Sequence, residues 1–361
     1  MPEIDGLRFV AIMAVLLYHA HIHFFSQPIP KSITLEPSWQ WLNFAIGHGW
    51  FGVQVFFVIS GFVLALPFAG QHLTNKRPVD LKTYYRRRVV RIGFPYIIAL
   101  TLGLLFAVFG GMPTIDAFSH YAAGMLYSHG LFYDGALNPI LFVSWTLEIE
   151  IQFYLLAPIL CSIFKLKSSC LRTVILLTSI YAVHYLAGLI NLALPCGIWH
   201  HSIVGQLQFF LVGLLLGELY LTYWKDRAAS SSHKALYDIV GVGAWLFIPF
   251  ALEINGRDSW IAYLLLIAFT CVIRGNILKK ALSFPLISII GGMCYSIYLF
   301  HGAFLTYFFY NITTPLFGDQ KGNWPYNLIP LATLCILTLL ACSITYYWIE
   351  RPSMRWGSKK V

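Results

Sequence analysis

The sequence predicts an all-α polytopic membrane protein, a bundle of about ten transmembrane helices with both termini cytoplasmic. Three observations carry the prediction. Of 361 residues, 58% are hydrophobic and only 11% are charged, against roughly 25% charged in a soluble domain. The apolar residues fall into runs near 8–25, 49–68, 89–110, 141–164, 173–190, 202–223, 236–252, 259–274, 285–310 and 327–349, and a helix of such length crosses ~30 Å of hydrocarbon. The cations then sort by side. Seven of them, Lys76, Arg77, Lys82, Arg86, Arg87, Arg88 and Arg91, crowd the connection between the second and third runs, which the positive-inside rule places in the cytoplasm. Counting alternate connections with it gathers 21 of the 24 cations on that side and leaves Lys31, Arg257 and Lys321 on the other.

The same composition excludes other classes. A chain this apolar cannot be disordered, and its net charge of +9 lies in short clusters with no continuous basic face for a nucleic acid. The runs and their connections use up the chain, so 1–361 reads as one transmembrane domain with no appended soluble domain. No removable signal peptide is expected, because no small-residue cleavage site follows the first run. The seven cysteines contain no C-x-x-C pair, so neither a disulfide framework nor a thiolate metal site is expected. No span shows a compelling G-x-x-x-G face, which makes a monomer the default.

Taken in order, the first span, "IDGLRFVAIMAVLLYHA", holds Arg8 and His19. Their spacing leaves both on one helical face, about 20° apart and ~16 Å apart in height, with Arg8 at the inner rim and His19 near mid-membrane. A lone histidine there is either a hydrogen-bonded packing residue or a functional one, since ionisable groups at that depth are costly. The long connections at 26–48 and 111–140 are rich in aromatics and histidine; they are expected to form a roof or re-entrant hairpins over an external cleft, or else an interfacial aromatic belt. The third span opens on "YYRRRVVRIGFPY", where Arg88 and Arg91 share a helical face. Two guanidiniums so placed suit bidentate phosphate recognition, although basic clusters mostly just set orientation.

The fourth span, "VSWTLEIEIQFYLLAP", places Glu150 about 13–14 Å below the outer edge, level with His19, so a His–carboxylate pair is geometrically allowed. Glu148 lies about 200° round the helix from it and needs another outlet, such as a cleft or the outer roof. In the ninth span, "GGMCYSIYLFHGAF", His301 is expected nearer the outer surface, with the hydroxyls of Tyr295, Ser296 and Tyr298 around it. The tenth ends in "YYWIERPSMRW", where Glu350 beside Arg351 reads first as a salt bridge fastening a helix end and second as chemistry.

Together and in order, these segments resemble the acyltransferase family 3 proteins, integral membrane enzymes that transfer acyl groups, usually acetyl, to hydroxyls of cell-surface glycans and other carbohydrate-containing acceptors. The family's R-x10-H pattern corresponds to Arg8–His19, its "GvdlFFviSGF" stretch to "GVQVFFVISGF" at 52–62, and its R-x-x-R to Arg88–Arg91 within "RVVRIGFP". "WTLEIEIQFYLLAP" makes Glu150 the family glutamate and Glu148 a variable position, and "CYSIYLFH" and "IERP" match two further blocks ending at His301 and Pro352. Gln54 stands where the family commonly has an acid, so no role for that carboxylate carries over.

The resemblance implies acetyl-CoA, or a related acyl-CoA, as cytoplasmic donor, and an outer acceptor such as lipopolysaccharide O-antigen or exopolysaccharide. It implies a place in the cell inner membrane, with the lipid bilayer as surroundings and no metal. In that reading Arg8, Arg88 and Arg91 receive the CoA phosphates. His19 acts as general base on the acceptor hydroxyl or briefly carries the acyl group, and Glu150 orients its imidazolium. Ser60, Trp145, Tyr154 and Ser296, with His301 and Glu350, shape the acyl channel or fasten helices. The outer Trp39, Trp41 and Trp199 are sugar-stacking faces or interface anchors. The competing class is a secondary transporter with His19 and Glu150 as a proton relay, against which the ordered blocks and the paired arginines weigh.

Overall fold

The computed structural model describes residues 1–25, 37–193, 201–225, 227, 229–255, 259–318 and 326–358; Trp199 lies outside them. The described residues form helices and no strand. In chain order these are α1 (Pro2–Phe25), α2 (Pro37–Gly47), α3 (Gly52–Leu73), α4 (Leu81–Phe109), α5 (Thr114–Met125), α6 (His129–Phe132), α7 (Ser144–Leu160), α8 (Ser169–Ala193) and α9 (Ile203–Leu219). There follow α10 (Ser231–Asn255), α11 (Ser259–Arg274), α12 (Ile277–Leu282), α13 (Pro285–Gly292), α14 (Cys294–Phe308), α15 (Thr314–Phe317), α16 (Leu328–Thr345) and α17 (Arg351–Ser358).

Each of the ten predicted runs overlaps a helix, but the structure is less regular than ten equal spans. Among the described residues, eight helices are long and apolar enough to cross a membrane, or nine if α13 and α14, bent by 70° at Met293, count as one span. The apolar stretch Trp260–Arg274 is shorter; at about 1.5 Å per residue it falls short of a ~30 Å hydrocarbon core. Side chains on the bundle's outside are apolar, as at Phe109, Ile239 and Leu246, which are 86%, 72% and 68% exposed. This is the surface of a multi-pass membrane protein.

The centre of the bundle is the pair α3 and α9, whose spans are 61% and 72% buried, against 22% for α8. Apolar side chains gain little from leaving lipid for protein, so close backbone approach has to hold such helices together. A Cβ at Gly61 would lie 2.2 Å from the Phe210 carbonyl oxygen, and one at Gly213 would lie 2.3 Å from that of Val58. Gly213 and Gly217 do make a G-x-x-x-G face on α9, contrary to the sequence reading, and it is occupied within the chain by Gly61 and Ala65 of α3.

With no water in hydrocarbon, the free N–H groups at helix starts need acceptors from the protein. Three buried acids supply them across the bundle. Glu148 of α7 accepts from Gly130 N (3.0 Å) at the start of α6, and Asp238 of α10 accepts from Ile277 N (3.0 Å) and Leu278 N (3.1 Å) at the start of α12. Glu350, wholly buried, accepts from Ser296 N (3.0 Å) and Ser296 Oγ (2.7 Å) at the start of α14. Glu350 thus fastens a helix start by hydrogen bonds to Ser296, where a salt bridge at a helix end was expected.

Two features frame the site. The loop 74–80 and the first turns of α4 lie at the end of the bundle that carries the basic cluster, called here the basic end, with α17 packed against α4. At the far end the connection 111–140 folds into α5 and α6, so it is a built cap rather than a plain aromatic girdle. Tyr96 Oη donates to Gly124 O (2.9 Å) and Asn138 Nδ2 to His120 O (3.3 Å), holding the cap on α4 and on itself.

Candidate active site

A cavity of about 110 Å³ opens from the basic end into the bundle, walled by α1, α3, α4, α7 and α14. It brings together Arg8, Ser60, Arg88, Arg91, Glu150 and Tyr154 from four separate stretches of sequence. The helical period explains their convergence. Arg88 and Arg91 are one turn apart on α4, as are Glu150 and Tyr154 on α7, so each pair faces the same way. Glu150 accepts from Ser60 Oγ at 2.9 Å and from the Tyr154 hydroxyl. Ser60, Gly61 and Phe62 divide the work of the "SGF" segment: the first reaches Glu150, the second admits α9, and the third is wholly buried.

Two of the arginines lining the cavity stand without a carboxylate partner among the described residues. Arg88 lies between the rings of Tyr84 and Tyr154, 5.6 and 5.7 Å from their centroids, and its buried Nε has no partner. Among the described residues, neither Arg88 nor Arg91 makes an ion pair within 4.0 Å. Arg8 does pair, with Asp5 one turn earlier, while still lining the cavity. Guanidiniums left without a carboxylate in a partly buried place have hydrogen-bonding capacity for phosphate.

Tyr298 also lines the cavity. Its hydroxyl accepts from Thr146 Oγ1 (2.7 Å) and donates to Val143 O (3.2 Å), and its ring lies 6.0 Å from that of His301 one turn on. Beyond it stands a histidine pair. His301 Nδ1 is 2.8 Å from Tyr298 O and 3.0 Å from Ile297 O. Carbonyls only accept, so this nitrogen carries the proton, and in the neutral ring Nε2 is an acceptor. His19 Nδ1, 3.0 Å from His301 Nε2, must then be the donor. That leaves the lone pair of His19 on Nε2, the arrangement of a general base or nucleophile with an oriented partner. The rings of Phe142 and Tyr18 stand edge-on to His19, each with its centroid at 5.1 Å.

Several expectations are therefore redistributed. Glu150 does not partner His19: it bonds Ser60 and Tyr154, and His301 holds the imidazole instead. His301 is not nearer the outer surface but level with His19, because the bend at Met293 turns α13 aside and leaves only the two turns of α14 below it. Ser296 joins Glu350 and does not line the cavity. Trp145 lies against His201, their ring centroids 4.7 Å apart and the rings tilted by 47°, away from the cavity. Glu148 finds its outlet in the far-end cap. Tyr84, Phe142 and Thr146 were missed by the sequence reading; Tyr84 stood in plain view in "YYRRR", four residues before Arg88.

The fold and this cavity define a multi-pass membrane protein with an arginine-lined cavity and a histidine pair beside it. The chain belongs to the acyltransferase family whose model, described as an acyltransferase domain, matches residues 1–348. Over 394 residues it is 26% identical to the O-acetyltransferase OatA of Staphylococcus aureus strain NCTC 8325, an alignment covering 99% of this chain and 58% of the relative. A putative O-acetyltransferase of S. aureus strain MSSA476 is 24% identical over 392 residues, with the same coverage. The chain thus spans about 58% of the length of these curated relatives. No solved structure matches. Together these make the chain a multi-pass membrane member of the acyltransferase family.

Proposed function

We propose that this protein transfers an acyl group, acetyl foremost, from cytoplasmic acyl-CoA to a hydroxyl of a cell-surface glycan on the opposite side of the cell inner membrane. The observation that carries the reading is one cavity lined by the ion-pair-free Arg88 and Arg91, by Glu150 and by Tyr298, whose ring stands next to the His19–His301 pair. The bound acyl-CoA supplies an activated thioester. Arg88 and Arg91, with the buried unpartnered Nε of Arg88, suit its phosphates.

His19 Nε2 takes the acceptor's hydroxyl proton as the oxygen attacks the acyl carbonyl, and the imidazolium returns that proton to the departing thiolate. His301 Nε2 holds the Nδ1–H of His19 throughout and fixes its tautomer. Glu150, bonded to Ser60 and Tyr154, positions the wall of the acyl passage rather than the imidazole. General-base assistance of this kind contributes about 10²–10⁴-fold.

The test is ester-linked acetyl on the surface polysaccharide of the source cell, compared among wild type, a deletion, His19→Ala and His301→Ala at equal expression. Loss in the deletion and a fall of about 10²–10⁴-fold in His19→Ala are expected, with an intermediate fall in His301→Ala. Unchanged acetyl in the deletion removes the acceptor assignment. Full activity in His19→Ala removes the mechanism.

A further inference from the structure

Outside the cavity, at the basic end, lies a second and much larger space, a groove of about 1000 Å³. Arg88 and Arg91 belong to the walls of both, so the two meet at that arginine pair. The groove's other walls are residues 76–80, Leu66 and Pro67 of α3, the first turns of α4 and Met354 from α17. Its cations are Lys76, Arg77, Arg87, Arg88 and Arg91, and its one carboxylate is that of Asp80. Asp80 is turned to its own helix, accepting from Thr83 N (3.0 Å) and the Thr83 hydroxyl as the N-cap of α4. The groove therefore carries a strong positive surplus.

Lysines and arginines in such a loop ordinarily do no more than fix membrane orientation, which requires charge but no shape. This loop has shape. Thr74 Oγ1 donates to Gly70 O (2.9 Å), Lys76 N donates to the same carbonyl (3.0 Å), and Val79 N donates to Gln71 Oε1 (3.0 Å). Asn75 takes a left-handed conformation (φ 49°) to make the turn, a state that asparagine tolerates better than most residues. The backbone that presents Lys76 and Arg77 is thus tied to the end of α3 before any ligand arrives.

We propose that this groove receives the nucleotide end of the donor, and that Lys76, Arg77 and Arg87 bind its 3′-phosphate, so that the protein distinguishes CoA from dephospho-CoA. The inference rests on the acyl-CoA reading above and adds a recognition site to it. The order of parts in the molecule matches the order of spaces in the protein. A bulky adenosine 3′-phosphate fits the wide groove, the diphosphate meets Arg88 and Arg91 at the junction, and the thin pantetheine arm enters the narrow cavity toward Tyr298. A phosphomonoester carries about −1.5 to −2 charge at neutral pH with three acceptor oxygens, so it is the part of the nucleotide most in need of several cations. Removing it leaves Lys76, Arg77 and Arg87 with nothing to bind.

The test uses the full chain in phosphatidylcholine nanodiscs, titrated calorimetrically with CoA and with dephospho-CoA. Wild type is expected to bind CoA at least about tenfold more tightly. In the triple variant Lys76→Ala/Arg77→Ala/Arg87→Ala the ratio should fall to near one while affinity for dephospho-CoA stays within about twofold. A wild-type ratio near one, or a ratio that survives in the triple variant, overturns the inference. The donor reading fails separately: folded wild type, checked by its thermal transition, would then bind neither nucleotide. Repeating the titration with phosphatidylglycerol added tests a lipid phosphate as occupant. If the triple variant differs from wild type only there, and the CoA to dephospho-CoA ratio is untouched, the groove belongs to lipid and the inference falls.

Discussion

Two arginine sites toward the same end of this bundle are built in opposite ways. Arg172, 3% exposed, is fully partnered: Nε and Nη2 bind the two oxygens of Glu218 at 2.8 and 2.7 Å, and Nη1 donates to the carbonyls of Leu166 and Lys167. Glu218, wholly buried, also accepts from Ser169 Oγ and Thr222 Oγ1. Arg88 has aromatic walls, and among the described residues neither it nor Arg91 has a carboxylate within ion-pair distance. A buried charge has to be compensated, by the fold or by something that binds. Where the fold supplies the compensation the residue is structural, and where it does not, hydrogen-bonding capacity is left over.

The sharpest way to break this contrast is to strand the structural arginine. Glu218→Ala leaves Arg172 buried and unpaired, and should destabilise the protein by about 3–5 kcal/mol, read as a fall in thermal midpoint in detergent. Arg88→Ala and Arg91→Ala should keep that midpoint yet weaken CoA binding, each losing charge-assisted bonds worth about 1.5–3 kcal/mol. A destabilisation as large as that of Glu218→Ala at either position would erase the distinction. Glu350→Ala unpairs the Ser296 amide and hydroxyl inside the bundle and should cost about 1–3 kcal/mol, whereas Glu350→Gln, which retains an acceptor, should recover most of it.

The smallest effect expected is one of pH, at the far-end cap. His129 is buried there against His120 (3.0 Å between ring nitrogens), and burial holds its pKa below the ordinary 6.5, with the neighbouring His120 adding to the effect. The unfolded segment therefore binds more protons than the folded one between those two values. Cap stability is fully present above 6.5 and declines as the pH falls through that value toward the folded one. Amide exchange over 114–143 should quicken on acidification in wild type, and His129→Gln should flatten that response.

Much of the site was legible before any coordinates. Arg8, Ser60, Arg88, Arg91, Glu150 and Tyr154 were all chosen from sequence, and one cavity collects them. The errors share a cause. The depth of His301 was counted along a straight helix, and the 70° bend at Met293 invalidated the count. Glu150 was matched to His19 because helical rise gives height, but which way a side chain faces depends on how its helix is turned against its neighbours. The G-x-x-x-G of α9 does not stand out in the sequence as a packing face, and only the packed pair identifies its partner surface on α3.

By itself, the sequence determined the solvent in which the chain folds, the places where helices lie, and the chemical groups available, because hydrophobicity, period and residue type are local properties. Tertiary structure alone decided the pairings. It gave His19 the lone pair on Nε2 by setting His301 beside it, gave Glu350 to Ser296, and left Arg88 and Arg91 without counter-ions while Arg172 received Glu218. Those outcomes depend on contacts between segments far apart in the chain, where separations of an ångström or two and the rotation of whole helices determine which groups meet.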